Sequence, residues 1–256
     1  MRHFFSTSIA LLAFAFLTQV AFAQGDTVFL EDFEDSVVLY TTSEPDDLSD
    51  IANSDYFGRI DDTSGLPTDI EYSNQQGNGF YGVQDTDGTP SGNIDQITFE
   101  ILDISISNFE DLQFSVFLAE DTANDGNEDW DVPSSVLFAA QIDGTGFFDF
   151  LAIESSSNAA GNLEPRIDTD FDGIGDGDEI TDVFTEFTVD FGDVVGLASE
   201  GTIFDLRIII DSLDTGDEDI AIDSLRLFGT NTAVPEPSGI ALILLVGATT
   251  LLRRKR

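Results

Sequence analysis

The sequence predicts an all-β protein, an antiparallel β-sandwich of jelly-roll type, framed by an N-terminal signal-peptide helix and a short C-terminal hydrophobic helix. Three observations predict it. Apolar and polar residues alternate in several stretches, as where Phe204, Leu206, Ile208 and Ile210 interleave with Asp205, Arg207 and Ile209. Asp, Gly, Asn and Ser cluster between those stretches, and no stretch carries a convincing amphipathic helical period. The chain is also 41% hydrophobic with 23 Phe, more than a disordered acidic chain carries.

The elements follow in order along the chain. Residues 1–23 read as a secretory signal peptide: Arg2 and His3 are cationic, 4–16 is almost wholly apolar, and Ala21 and Ala23 frame an A-x-A cleavage site. Signal peptidase is the implied partner, leaving a mature start near Gln24. Residues 24–232 are expected to form one domain, since roughly 210 residues can bury a real core. Period-2 patterning places strands at 28–33, 96–101, 112–118, 136–142, 147–153, 187–191, 204–210 and 220–228. No internal repeat is evident.

Charge then narrows the chemistry. Residues 24–232 hold 49 acids against four cations, Arg59, Arg166, Arg207 and Arg226, a net −45. They contain no His, Cys or Lys. That excludes Ser-His-Asp and Cys-His catalysis, a Schiff-base lysine, the usual zinc sites and disulfides. Carboxylate-pair glycosidase chemistry survives, because it needs only Asp and Glu. Nucleic acid is excluded as a partner by the lack of cations to meet phosphate. Self-repulsion at this charge calls for salt or bound cations, suggesting a saline or divalent-rich setting.

One motif is sharp. Residues 168–179, DTDFDGIGDGDE, match D-x-D-x-D-G-x5-E in full. Asp168, Asp170 and Asp172 occupy positions 1, 3 and 5, Gly173 the turn, Ile174 the backbone-carbonyl position, Asp176 position 9 and Glu179 position 12. A hard cation needs this spacing, because alternate residues point inward as the loop wraps six to eight oxygens around it. The expected cofactor is a structural calcium; the alternative is a solvated acidic loop. The flanks are loop and strand rather than paired helices, so the segment resembles the isolated calcium loops of dockerin or thrombospondin type 3 repeats. Two further acidic loops, 120–131 and 211–219, offer the right ligand type without the full spacing.

The first and last strands carry another resemblance. Residues 29–35 (FLEDFED) and 217–229 (DEDIAIDSLRLFG) look like the opening and closing strands of carbohydrate-binding-type jelly rolls. That resemblance implies a second calcium held between an acid of the first strand, Asp32 or Glu34, and Asp223 of the last. By parity Asp223 shares a face with Leu225 and Leu227, so it is expected at the core edge, where a carboxylate needs a partner. Solvated acids are the alternative.

The C-terminal segment 233–256 has three parts in order: Pro235, Glu236 and Pro237, an apolar run over 239–252, and the cluster Arg253, Arg254, Lys255 and Arg256. A bilayer core needs about 20 helical residues, so the run is a short transmembrane stop-transfer segment with its cations on the cytoplasmic side. Together the three parts resemble the PEP-CTERM sorting tail of Gram-negative bacteria that make exopolysaccharide. The resemblance implies an exosortase partner, a transient inner-membrane anchor and delivery to the cell surface or extracellular matrix.

The leading expectation is a non-catalytic, calcium-stabilised surface or matrix protein linked to exopolysaccharide or biofilm. A glycan-binding module is the first alternative, with Trp130 the best candidate sugar platform among Trp130, Tyr56, Tyr72 and Tyr81. A carboxylate-based glycoside hydrolase is the second.

Overall fold

Burial along the strand Ile203–Asp211 alternates without a break, with Phe204, Leu206, Ile208 and Ile210 inside and their neighbours half-exposed. The same logic organises the whole computed structural model, which describes residues 25–61, 65–66, 70, 72–86, 94–121, 130–157 and 164–232. The expected signal peptide and sorting tail, with their helices, lie outside the described residues. Among the described residues no helix is long and apolar enough to cross a membrane.

Thirteen strands run in chain order: β1 (Asp26–Glu31), β2 (Thr41–Thr42), β3 (Asp47–Asp50), β4 (Asp55–Ile60), β5 (Phe80–Gln84), β6 (Gln96–Ser105), β7 (Phe109–Ala119), β8 (Ser135–Ile142), β9 (Phe148–Ser155), β10 (Pro165–Ile167), β11 (Thr185–Asp190), β12 (Ile203–Asp211) and β13 (Asp219–Asn231). One sheet has the order β11-β7-β13-β5-β4-β3, and β1 also pairs with β13. The other has the order β10-β9-β8-β12-β6-β2. All pairings between strands are antiparallel. The chain is an all-β sandwich, and its first and last strands are neighbours.

Length makes β13 the organiser of its sheet. β7 runs along one side of it, while β5 takes its first residues, Asp219 to Ile222, and β1 takes Leu225 to Gly229. Between the sheets lies the main core, which includes Phe99, Phe114, Phe138, Phe150, Leu206 and Leu227. Phe114 meets Phe150 edge-on at 5.2 Å, and Phe150 meets Phe191 in the same way at 5.3 Å, a favoured aromatic geometry.

A second, smaller core explains why patterning does not predict β4 and β5. Tyr56, Ile60, Ile70, Phe80, Ala119, Phe184 and Ala221 cluster apart from the main core. β4 and β5 therefore contribute to both cores, and every residue of β5 is buried. A strand covered on both faces reads as a continuous apolar run rather than an alternation.

Contrary to simple parity, Asp223 does not share a face with Leu225 and Leu227. Asp223 pairs with Phe117 and Arg226 with Ser115, so β13 spends one more residue than β7 between those points. Ser224, at φ 50°, forms the resulting bulge. Ile220, Ile222, Leu225 and Leu227 all reach the main core, while Ala221 joins the second. Asp223 stands on the Ala221 side of the sheet, fully buried beneath the segment around Gln76.

Candidate metal centre

The Asp-rich loop is built as an excursion from β10. Ile167 carbonyl oxygen accepts from Asp176 N at 3.1 Å and Gly177 N at 2.7 Å, and Ile167 N donates to Asp178 O at 2.9 Å. These bonds bring the loop back upon its own start. Gly175 N donates to Ser155 O at 2.9 Å, tying the loop to the end of β9.

Asp168 sits at the centre, 2% exposed. Its Oδ1 accepts from Asp170 N at 3.1 Å and Phe171 N at 2.7 Å, and its Oδ2 accepts from Gly173 N at 2.8 Å. Gly173 lies at φ 88°, which glycine adopts without steric penalty, so the turn places its amide on Asp168. Asp168, Asp170 and Asp172 each offer a carboxylate oxygen within 4.8 Å of the others. The Asp172 carboxylate, then desolvation, Asp176 and Asp168, raise Asp170 above the ordinary aspartate range. An oxygen-only cluster of this kind suits a hard cation.

The remaining positions of the motif are engaged differently. Asp176 Oδ1 accepts from Thr169 Oγ1 at 2.7 Å and Thr169 N at 3.0 Å, bonds that hold it below the ordinary range. Ile174 is half-buried. Glu179 forms an ion pair with Arg166, whose Nη1 also donates to Gly177 O at 3.2 Å.

The expected second site is drawn together in part. Glu34 Oε1 accepts from Asn78 N at 2.6 Å and Gly79 N at 2.7 Å, while Asp223 Oδ2 accepts from Gln76 N at 2.9 Å. Gly77 between them lies at φ 99°, and a Cβ there would lie 2.2 Å from Glu34 Oε1. Burial chiefly, with a contribution from Glu34, holds Asp223 up at about 6. Asp32 is half-buried, and its Oδ1 accepts from Glu34 N at 3.2 Å. The acid of β1 that is truly buried is Glu31, which accepts from Phe33 N at 3.0 Å and Leu39 N at 2.6 Å.

Trp130 is not exposed as a sugar platform must be. It is fully buried, donates Nε1 to Asp219 O at 3.2 Å, and its carbonyl accepts from Ser155 Oγ at 2.6 Å. Tyr56 and Tyr81 are fully buried as well. The exposed ring near the acidic loop is Phe171, at φ 58° and 47% exposed. It borders a cleft of about 340 Å³, also lined by Phe187, Thr169, Thr188 and Asp178.

The sandwich also buries three carboxylates of the two further acidic loops, Glu120, Glu218 and Asp219. Glu218 is saturated by Asp131 N, Ser134 Oγ, Asp214 N and Thr215 N. Asp219 Oδ1 accepts from the Tyr72 hydroxyl and from Asp121 N at 3.1 Å. Burial holds Asp219 up at about 7 and drives the Tyr72 phenol well above its ordinary value. A sequence signal was available: both acidic loops flank the ends of strongly patterned strands, where the chain passes from core to surface.

No protein-family model matches the chain, and no curated protein matches it. Among solved structures, a Stig cyclase, FisC, from Fischerella sp. TAU is 16% identical, covering 78% of this chain and 94% of that chain at a TM-score of 0.41. The family 11 carbohydrate-binding module of Clostridium thermocellum, in complex with a β-1,3-1,4-mixed-linked tetrasaccharide, is 10% identical over 82% and 98% of the two chains at 0.36. The K3 adhesin domain of Lys-gingipain from Porphyromonas gingivalis w83 is 15% identical over 80% and 100% at 0.37. At such values their site residues do not transfer to this chain.

Proposed function

We propose that the chain is an exported, non-catalytic β-sandwich of the cell surface or extracellular matrix, stabilised by calcium at the Asp168 loop. The observation that carries this reading is the convergence of Asp168, Asp170 and Asp172 within 4.8 Å, in a domain whose charge of −45 needs cations to offset it. Asp168 is already shaped by three loop amides, which leaves Asp170 and Asp172 as the exposed ligands. The ion would join the ends of the loop and dilute the repulsion among its acids. Absence of His, Cys and Lys from 24–232 supports a non-catalytic role.

The address rests on the ends of the sequence. Signal peptidase would cut after Ala23; an exosortase would read Pro235, Glu236 and Pro237 and release the protein from the inner membrane of a Gram-negative bacterium. Exopolysaccharide is the partner this address implies. Fractionation of cells carrying the full chain or a chain lacking 233–256 tests the address. Surface or matrix recovery should depend on the tail, and unchanged localisation without it would contradict the reading. Melting with calcium or EDTA tests the metal: the melting temperature should fall on chelation.

A second reading, glycan binding, has one observation behind it. The cleft beside the loop pairs the exposed Phe171 ring with hydroxyls of Thr169 and Thr188, the mixture of apolar face and polar neighbours that sugars require. Phe171→Ala should abolish binding on a glycan array; an array silent with the unaltered protein removes this reading.

A further inference from the structure

Four arginines stand against 49 acids in residues 24–232, and three of them are engaged by the protein itself. Arg166 reaches Glu179 and Gly177 O, and Arg207 reaches Glu100. Both terminal nitrogens of Arg59 donate to the carbonyls of Asp35 and Glu34. Arg226 differs. Its Nε donates to Thr27 Oγ1 at 3.0 Å, and its guanidinium carbon stands 5.0 Å from the centre of the Phe228 ring. The side chain is thereby oriented, yet neither terminal nitrogen meets an acceptor among the described residues.

The register places that free fork in a cleft. Leu30 of β1 and Ser115 of β7 pair with Arg226 on either side. Leu225, Leu227, Phe114 and Val116 all turn into the main core, so alternation sends Arg226 and Ser115 to the opposite face of the sheet. There they line a cleft of about 350 Å³ together with Thr27, Ser224 and Glu186, a volume in the range of small-ligand sites. Leu30, 42% exposed, adds an apolar wall.

The independent observation lies between the strands. Ser115 is 1% exposed, and its hydroxyl, which borders the cleft, bonds to no described residue. A buried hydroxyl without a partner costs free energy. A carboxylate takes a guanidinium fork with two parallel hydrogen bonds, and a hydroxyl beside it needs a second polar group on the same ligand. Glu186 sits across β7 from Arg226, opposite Phe117, and accepts from hydroxyls. An inorganic anion would leave Glu186 facing a like charge, whereas a sugar ring brings hydroxyls to it.

We propose that Arg226 and Ser115 form a recognition site for a uronate, a sugar ring carrying a carboxylate. The carboxylate takes both terminal nitrogens of Arg226, and ring hydroxyls meet Ser115 and Glu186. The domain's charge of −45 acts through a field screened over about 8 Å at physiological salt, while the fork acts in direct contact. This site is separate from the Asp168 loop and from the cleft beside Phe171. It names the sugar class of the exopolysaccharide partner, and to that extent it rests on the proposed function.

Titration calorimetry of the full chain with tetragalacturonate and tetramannuronate tests it, each as the free acid and as its methyl ester, at one fixed calcium concentration. One of the acids should bind, and its ester, which keeps the ring hydroxyls and loses the charge, should bind about tenfold more weakly or worse. Arg226→Gln should weaken the acid by about tenfold or more, and Arg226→Lys should restore only part of the loss, since it keeps the charge without the fork. Ser115→Ala should weaken it about two- to tenfold. Melting temperatures verify that the variants fold; if Arg226→Gln does not, Arg226→Lys decides, with a several-fold loss expected. Binding that these substitutions leave unchanged, as when calcium bridges acid to acid, would overturn the site. Equal affinity for acid and ester, lost in Phe171→Ala, would remove this site and leave glycan binding at the other cleft. No binding of either acid also removes it, while surface delivery and calcium-dependent melting are scored by their own experiments.

Discussion

Arg166 holds Glu179 in an ion pair at the edge of the Asp-rich loop, with the acid of motif position 12 turned to a protein cation. About a third of each side chain is exposed, and an ion pair of that kind is worth about 0.2–1 kcal/mol. For Glu179 to join a calcium ion, this pair must open. Arg166→Gln should therefore tighten calcium binding by up to about fivefold, and Glu179→Gln in the same chain should cancel most of the gain. Titration calorimetry on the four combinations checks it; an equal gain with and without Glu179 would show that Glu179 is no ligand.

Asp168 and its exposed neighbours should separate when calcium is absent. Asp168→Ala strands three loop amides, a loss of about 1–3 kcal/mol, or about 2–12 °C of melting temperature for a domain of this size. That loss should appear even in EDTA. Asp170→Ala and Asp172→Ala should leave the EDTA melting temperature unchanged or higher, because they relieve like-charge repulsion, yet abolish the calcium-induced rise.

The two halves of the motif were not equally legible. Asp168, Asp170, Asp172 and Gly173 converge because their spacing is local, and local geometry is what a short motif encodes. Glu179 goes elsewhere because Arg166 stands across an isolated bridge from it, a pairing outside the motif. The eight patterned strands form for the same local reason, each with one face on the main core. β4 and β5 escape because a second core covers their other face, and Asp223 changes side because a single bulge resets parity. Glu31 looks in sequence like any of the other acids, and the two acidic loops do not show in sequence which of their carboxylates turn inward; burial picks out Glu120, Glu218 and Asp219.

Glu34 should act as a clasp. Its carboxylate binds two successive amides of the segment that covers Asp223, charge-assisted bonds worth more than neutral ones. Glu34→Gln should speed amide hydrogen exchange at Asn78 and Gly79 while leaving β12 unchanged. Unaltered exchange at those two amides would contradict the clasp.

The pH dependence of the calcium-free protein has a sign set by Glu154. Burial, then Asp168 and Asp211, hold it up at about 7 against an ordinary value of 4.5. With the folded value above the unfolded one, its contribution is fully present below about 4.5 and is lost as pH rises through 7. Glu154→Gln in EDTA should therefore raise the melting temperature at pH 8 relative to the parent and do so far less at pH 4. A difference that is the same at both pH values would contradict the assignment.

The central claim is that calcium at the Asp168 loop stabilises the sandwich. Its most direct measurement is the melting temperature of the full chain across a calcium titration from an EDTA-treated start, run beside the Asp170→Asn, Asp172→Asn variant. A saturable rise in the parent that is reduced by the paired substitution is the predicted result. A melting temperature indifferent to calcium, or a rise of equal size and midpoint in the variant, would contradict it.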